Sequence, residues 1–380
     1  MRLQLVALLL FLASMPPTGL SAELNLEAAS DAVRSGLREG AYPGAVAAFG
    51  TMEGMKWMEP FGHLSVSKEH LVTGDTLYDL ASLTKVIGTT TVAMRLFQDG
   101  KLDLDLRLHE VCPEFLEGAT GEEQARWRRE VKLRHLLTHT SGLPSWKPFY
   151  KELDGYAALI GAILELPLEA APGSRYKYSD PGMMLMGEVV SRLGGKPLFE
   201  LEQELVFGPL GMKETRRNPP GVLKAKIAPT EEDGEGGFIQ GVVHDENARA
   251  GQGLTGHAGL FSNVSDLSLL AAELLKAWNG EGRVFHKNTV RTFASNQPEP
   301  GDRGLGWQMA DGSTSAGSVA SRSSFGHTGF TGTSIWMDPE NGGFAILLTN
   351  RVHPSRANTK LYKVRTKFAD AAFGALLHEK

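Results

Sequence analysis

Strand-like runs stand near both ends of this chain and helix-like runs fill its middle. That order is the feature that most limits the folds open to it. Pro43-Gly44-Ala45-Val46-Ala47-Ala48-Phe49 is a compact apolar run opened by a turn pair, and Lys56 to Phe61 reads as its hairpin partner. The C-terminal third carries more short runs: Leu305 to Met309, Ser324 to Gly329, Thr333 to Met337 and Phe344 to Thr349. Asp338-Pro339-Glu340-Asn341-Gly342-Gly343, between the last two, is a hairpin signal. Helical periodicity covers Leu26 to Glu39 (with Asn25 as cap), Val131 to Leu137, Gly155 to Leu166, Pro181 to Leu193 and Leu198 to Phe207. Ser265 is expected to cap a helix running to Trp278, and Ala357 to Leu377 closes the chain as another. Gly118 to Arg129 is so charged that it reads as a surface insertion. No internal repeat is present. The economical arrangement is α+β, an α/β sandwich. One antiparallel sheet is built from both chain ends and flanked by helices, and a mainly helical region, about 101–250, is inserted.

The chain has 380 residues, enough for one large domain or two intimate ones. Its formal net charge of −5 gives no reason to expect nucleic acid or an anionic membrane as partner. Cys112 is the only cysteine, so an intramolecular disulfide and a thiolate metal cluster are both excluded. At the N-terminus, Arg2 precedes an apolar run from Leu3 to Met15, broken by Pro16-Pro17-Thr18-Gly19. Residues 1–22 therefore read as a secretory signal peptide cut near Ala22, leaving 23–380 without a membrane span. The alternative is an uncleaved anchor helix, for which the apolar run is short.

The chemistry centres on Ala81-Ser82-Leu83-Thr84-Lys85, which opens an apolar helical run to about Gln98. Asp79 is expected to cap that helix. Ser82 and Lys85 share one face of its first turn. A serine at a helix N-terminus sits among free backbone N–H donors, which suits a nucleophile that generates an oxyanion. A poorly solvated lysine has its pKa lowered and can take the serine proton. The alternative is an ordinary helix start with a solvated lysine. Two later stretches bear on the choice. In Tyr178-Ser179-Asp180, a tyrosine near a lysine can act as general base, or is a half-buried aromatic. In His327-Thr328-Gly329, a small pair on an edge strand lets a substrate lie alongside the backbone, or is simply a strand containing glycine.

Other signals lead elsewhere. Gly251-Gln252-Gly253-Leu254-Thr255-Gly256 matches a dinucleotide motif, but a polar loop precedes it and no helix follows. His135 and His139 have the spacing of a zinc helix but no following glutamate, so they read as structural. His244, Asp245 and His257 either line a site, bind a metal or order a loop; loop-ordering hydrogen bonds are the preferred reading. The G-x-S-x-G elbow is absent.

Taken together, Ser82-x-x-Lys85, Tyr178-x-Asp180 and His327-Thr328-Gly329 resemble, in order and spacing, the serine penicillin-recognising enzymes. The tyrosine form looks like the group of class C β-lactamases, D-Ala-D-Ala peptidases and family VIII esterases. Leu133-Arg134-His135-Leu136-Leu137-Thr138-His139-Thr140-Ser141-Gly142-Leu143-Pro144 is similar to that group's signature. Gly256-His257-Ala258-Gly259-Leu260-Phe261-Ser262 looks like the branch of periplasmic D-alanyl-D-alanine carboxypeptidases. The resemblance implies a β-lactamase/transpeptidase-like fold, an acylated Ser82, and Lys85 with Tyr178 as its general-base system. It implies an oxyanion hole from the N–H groups of Ser82 and Phe330, with Asp180 on the substrate amide and His327, Thr328 and Gly329 along the substrate. It further implies no metal or cofactor, a small-molecule or peptidoglycan-peptide substrate, and a periplasmic or secreted location. Two positions depart from the group. Asp180 stands where asparagine is usual, and His327 where many members carry lysine. A histidine is only partly charged at neutral pH and grips a substrate carboxylate less surely. Both changes argue against an efficient β-lactamase and suit a peptidase of altered preference or an esterase. The alternatives are a weak β-lactamase and a non-catalytic module that binds cell-wall fragments.

Overall fold

A computed structural model of the chain describes residues 26–377. The signal-peptide reading and the Asn25 cap lie outside the described residues. Nine strands are present there: β1 (Gly44–Thr51), β2 (Gly54–Gly62), β3 (Tyr78–Asp79), β4 (Arg216–Arg217), β5 (Leu260–Ser262), β6 (Gln308–Met309), β7 (Phe325–Thr328), β8 (Ser334–Asp338) and β9 (Gly343–Thr349). Six form one antiparallel sheet in the order β2-β1-β9-β8-β7-β6, and three form a small sheet, β3-β5-β4. β1 therefore pairs with the last strand, with Ala47 opposite Leu347.

Side chains alternate across this sheet, as the strand period requires. Ala45, Ala47, Phe49, Trp336 and Leu347 point to one face, where the helices Leu26–Arg38 and Leu361–Leu377 pack. Val46, Ala48, Ile335, Ile346 and Leu348 point to the other, against the helix Val264–Asn279 and the main core. A one-residue slip of β9 would exchange Ile346 and Leu348 with Ala345 and Leu347. Both faces of β9 are buried, so the slip would not expose these side chains but would mismatch their volumes with the two cores, at a cost of about 1–3 kcal/mol for each overpacked site. The sandwich read from the sequence is the observed fold.

Several local readings need correction. Asn263, not Ser265, caps the helix Val264–Asn279, accepting from the Asp266 N–H. The charged segment 118–129 is not a simple surface insertion. Its helix, Glu122–Glu130, is tied inward by the fully buried Arg128, which donates to the carbonyls of Phe115, Leu164, Glu165 and Leu166. The guanidinium there closes the ends of neighbouring helical turns, a task its charge alone does not reveal. A helix over Lys287–Phe293 has no counterpart in the sequence reading. The helix Asp180–Gly194 follows its signals closely: Ser179 accepts from the Gly182 N–H at 3.0 Å, Pro181 occupies the first turn, and Gly195 ends it in the left-handed conformation.

Candidate active site

Strand β3 delivers the chain to the turn that carries Ser82. Asp79 ends the strand fully buried, and Ala81 takes a left-handed φ of 46° immediately before Ser82. Such a conformation in a non-glycine residue is costly and is held by its surroundings. Asp79 does that holding: its carboxylate accepts from the Ala81 N–H at 2.7 Å and from the His244 N–H at 2.6 Å. It therefore fixes the turn rather than capping the helix. The helix beyond opens with a wide π turn, Lys85–Thr90, before regular α geometry over Thr91–Gln98. Gly88 in that turn lies so close to Glu202 that a Cβ would come within 2.2 Å of its Oε1.

Burial raises the Asp79 carboxyl from 3.8 to about 6, against the lowering effect of its two N–H donors. A carboxyl raised on folding contributes stability that is full below its unfolded pKa and is lost as pH rises through the folded value. Asp79→Asn, which does not titrate, is expected to gain on wild type as pH rises from 4 to 7. Urea midpoints across that window check this; a constant difference contradicts it.

Lys85 is fully buried. Its ammonium donates to Ser82 Oγ at 2.9 Å and to the His257 carbonyl at 3.2 Å, and it contacts Asp180 Oδ1 at 2.8 Å as an ion pair. The Tyr178 ring stands over the same ammonium, with its centroid 5.0 Å from the nitrogen. Burial acts to lower the Lys85 pKa, but Asp180 and Tyr178 outweigh it, and the net displacement is upward. This corrects the reading of Lys85 as a lysine depressed by poor solvation. Asp180 accounts for much of the difference: besides lining the cleft, it neutralises the lysine.

Tyr178 is set by His139, whose ring packs 4.5 Å from it and whose Nδ1 accepts from the Ser179 N–H. His139 is thus structural, as its motif suggested. His327 is buried next to Tyr178, with Nδ1 at 2.8 Å from the Thr328 carbonyl. Burial, reinforced by Arg303 and Lys85, holds its pKa well below the usual imidazole value. At neutral pH His327 is therefore uncharged rather than partly charged. Gly329 is dictated by space, since a Cβ would meet Thr333 Oγ1 at 2.1 Å and the Leu80 carbonyl at 2.4 Å. Strand β6 pairs only with Phe325 and Gly326, so the outer edge of β7 is open from His327 onward. Among the described residues, neither the Ser82 nor the Phe330 N–H donates to another backbone group.

Two clefts meet at Ser82, Tyr178 and Phe330. One, of about 440 Å³, is also lined by Trp146, Asp180, His244 and Asp245. The other, of about 310 Å³, is lined by Arg303, His327, Thr328, Arg351, Tyr362 and Arg365. The three arginines have no counterpart in the sequence reading. Arg365 donates to the carbonyls of Gly329 and Thr333, and Arg351 to those of Phe330, Arg356 and Asn358. Arg303 donates to the Gly306 carbonyl. None of them forms an ion pair among the described residues. Burial first, and then Arg351, lowers Arg365 to about 9. A signal did exist: Arg365 interrupts the apolar face of its helix, between Val364 and Phe368. No group of three or more metal-binding side chains is present among the described residues.

A helix-flanked antiparallel sheet with Ser-x-x-Lys beside strand β7 is the architecture of the β-lactamase and penicillin-binding folds. The chain belongs to the beta-lactamase family, whose model matches residues 29–368. It is 35% identical over 308 residues to a protein of Escherichia coli (strain K12) named "Putative D-alanyl-D-alanine carboxypeptidase", covering 74% of this chain and 70% of that one. A penicillin-binding protein homologue from Caulobacter crescentus shares the fold with a TM-score of 0.73 at 18% identity, over 92% of this chain and 97% of the other. A class C β-lactamase from Rhodobacter sphaeroides gives a TM-score of 0.68 at 20% identity, over 89% and 98%.

Proposed function

We propose that the protein is an exported serine hydrolase that forms an acyl-enzyme on Ser82 and cleaves D-alanyl-D-alanine-type peptides whose leaving residue carries a free carboxylate. The observation that carries this reading is the set of buried guanidinium groups, Arg303, Arg351 and Arg365, around the cleft beside Thr328. Buried cations without a carboxylate partner favour an anion among them. They take over the role that His327, being neutral, does not fill.

In the mechanism, Ser82 Oγ attacks the scissile carbonyl and its proton passes to the Tyr178 oxygen, which must enter the step as phenolate to accept it, because Lys85 already holds all its protons. The Lys85 ammonium stabilises the negative charge on the tyrosine side of the transfer. The N–H groups of Ser82 and Phe330 receive the oxyanion. Collapse breaks the C–N bond, and the leaving amine takes the proton from Tyr178. Water then repeats the sequence on the acyl-enzyme, releasing Ser82. The N-terminal apolar run supports export, and the Escherichia coli relative's name supports the substrate class.

A carboxylesterase is the second reading, supported by the Asp180 and His327 departures. The test combines intact-protein mass and kinetics. Incubation with a fluorophosphonate and, separately, a penicillin is expected to give adducts on wild type and none on Ser82→Ala. An acyl-D-alanyl-D-alanine peptide is expected to be cleaved about 10–100-fold faster than its C-terminal amide, the worth of a charge-assisted contact. Adduct with the fluorophosphonate alone and equal rates on acid and amide point to the esterase. No adduct from folded wild type sinks the catalytic reading.

A further inference from the structure

The Lys85 ammonium has a third acceptor besides Ser82 and Asp180, and it comes from a distant loop. The His257 carbonyl lies 3.2 Å from Lys85 Nζ. Its neighbours in sequence are already fastened: Thr89 Oγ1 donates to the Gly256 carbonyl at 2.7 Å, and Arg217 to the Ala258 carbonyl at 3.2 Å. What fixes residue 257 itself is its own side chain. The His257 ring is buried, and Nε2 lies 2.9 Å from Asp245 Oδ1. The same oxygen accepts from the Ala248 N–H at 2.8 Å, so Asp245 is anchored as the cap of the short helix Glu246–Ala250. The residue before it, His244, donates its N–H to Asp79, which also holds the Ala81 turn. Asp245 lines the larger cleft together with Ser82.

We propose that Asp245 and His257 are positioning residues for Lys85. The Asp245 carboxylate holds the imidazole, the imidazole fixes the turn that aims the His257 carbonyl at the ammonium, and the carboxylate adds a second negative charge near that ammonium beyond Asp180. The proposal rests on the reading of Ser82, Lys85 and Tyr178 as the reacting groups.

The two contributions separate by substitution. His257→Ala removes the link, and His257→Gln restores a donor that can reach Asp245. Asp245→Asn keeps an oxygen for both of its N–H partners but removes the charge. The other titratable groups facing Lys85 are Asp180, Tyr178, His139 and His327; they stay in place in all three variants. A misplaced ammonium costs rate rather than binding. Loss of a nearby negative charge lets an ammonium give up its proton at lower pH.

The experiment measures fluorophosphonate acylation of Ser82, separating the saturating rate from the half-saturating concentration, with pH profiles. His257→Ala is expected to slow the saturating rate about 10–100-fold, with half-saturation within about twofold of wild type, and His257→Gln to recover most of the rate. Asp245→Asn is expected to shift the alkaline limb of the profile down by about one unit. A pair that only staples the loop would lower the melting temperature of His257→Ala and Asp245→Asn and leave rate and pH profile at wild type. That result overturns the proposal, as does an unshifted alkaline limb in folded Asp245→Asn. A wild type that takes no adduct on Ser82 overturns the reading of the site itself, and the proposal with it.

Discussion

Lys85→Met is expected to give a folded protein in which acylation of Ser82 is slowed by about three orders of magnitude or more, comparable with removing one member of a coupled catalytic set. Methionine nearly matches the lysine stem, so the packing around the helix start survives. What disappears is the charge that bonds Ser82 Oγ and that, in the proposed mechanism, supports proton transfer to Tyr178. The same change leaves Asp180 without its cation. Its side chain keeps some exposure, so the stability cost is that of a partly hydrated orphan, about 1–2 kcal/mol. Adding Asp180→Asn to Lys85→Met is expected to recover that stability and none of the rate. Urea midpoints and adduct kinetics on the single and double variants form the check. A double variant that regains activity would mean that Lys85 serves only to neutralise Asp180.

Arg217→Met is expected to destabilise the fold by about 3–5 kcal/mol, more than the loss of the Lys85 charge. Arg217 meets Glu202 through two parallel bonds, Nε to Oε2 at 2.9 Å and Nη2 to Oε1 at 2.8 Å, with both side chains almost fully buried. Its remaining nitrogen donates to the carbonyls of Gly253, Thr255 and Ala258. Removing it strands a buried carboxylate and frees the loop that presents the His257 carbonyl to Lys85. Arg217→Lys is expected to rescue little, because an ammonium cannot reproduce the fork. Denaturant midpoints at unchanged slope measure the loss. A change below about 1 kcal/mol would show that water readily replaces the guanidinium.

The sandwich was legible because its evidence is periodic. Alternation in Val46-Ala47-Ala48-Phe49 and in Phe344 to Thr349 survives as the two faces of the sheet, and the Pro181 and Gly195 signals survive as helix ends. The neighbourhood of Ser82, Lys85 and Tyr178 was legible through spacing and motif. What the sequence concealed depends on partners far apart in the chain. Nothing near Arg128 announces the carbonyls at Leu164 to Leu166. Nothing near Lys85 announces that Asp180 would raise its pKa against the pull of burial. The arginines beside His327 come from a loop, a strand end and the last helix. His244, Asp245 and His257 read as loop-ordering residues, and the pairing of Asp245 with His257 agrees with that, but the carbonyl aimed at Lys85 is visible only in three dimensions.

The pairing of β1 with β9 has a consequence for how the molecule is made. Ala45 lies opposite Thr349, so a central rung of the main sheet closes a loop of nearly the whole chain. Contacts of such long sequence separation form slowly. During synthesis the first hairpin must wait, half-exposed, until the ribosome has released residues beyond 349. The same geometry sets the helices Leu26–Arg38 and Leu361–Leu377 side by side. A circularly permuted gene, joining those helices by a short linker and opening at the exposed Asp233–Gly236 bend, would make β1 and β9 neighbours in sequence and let that rung form early.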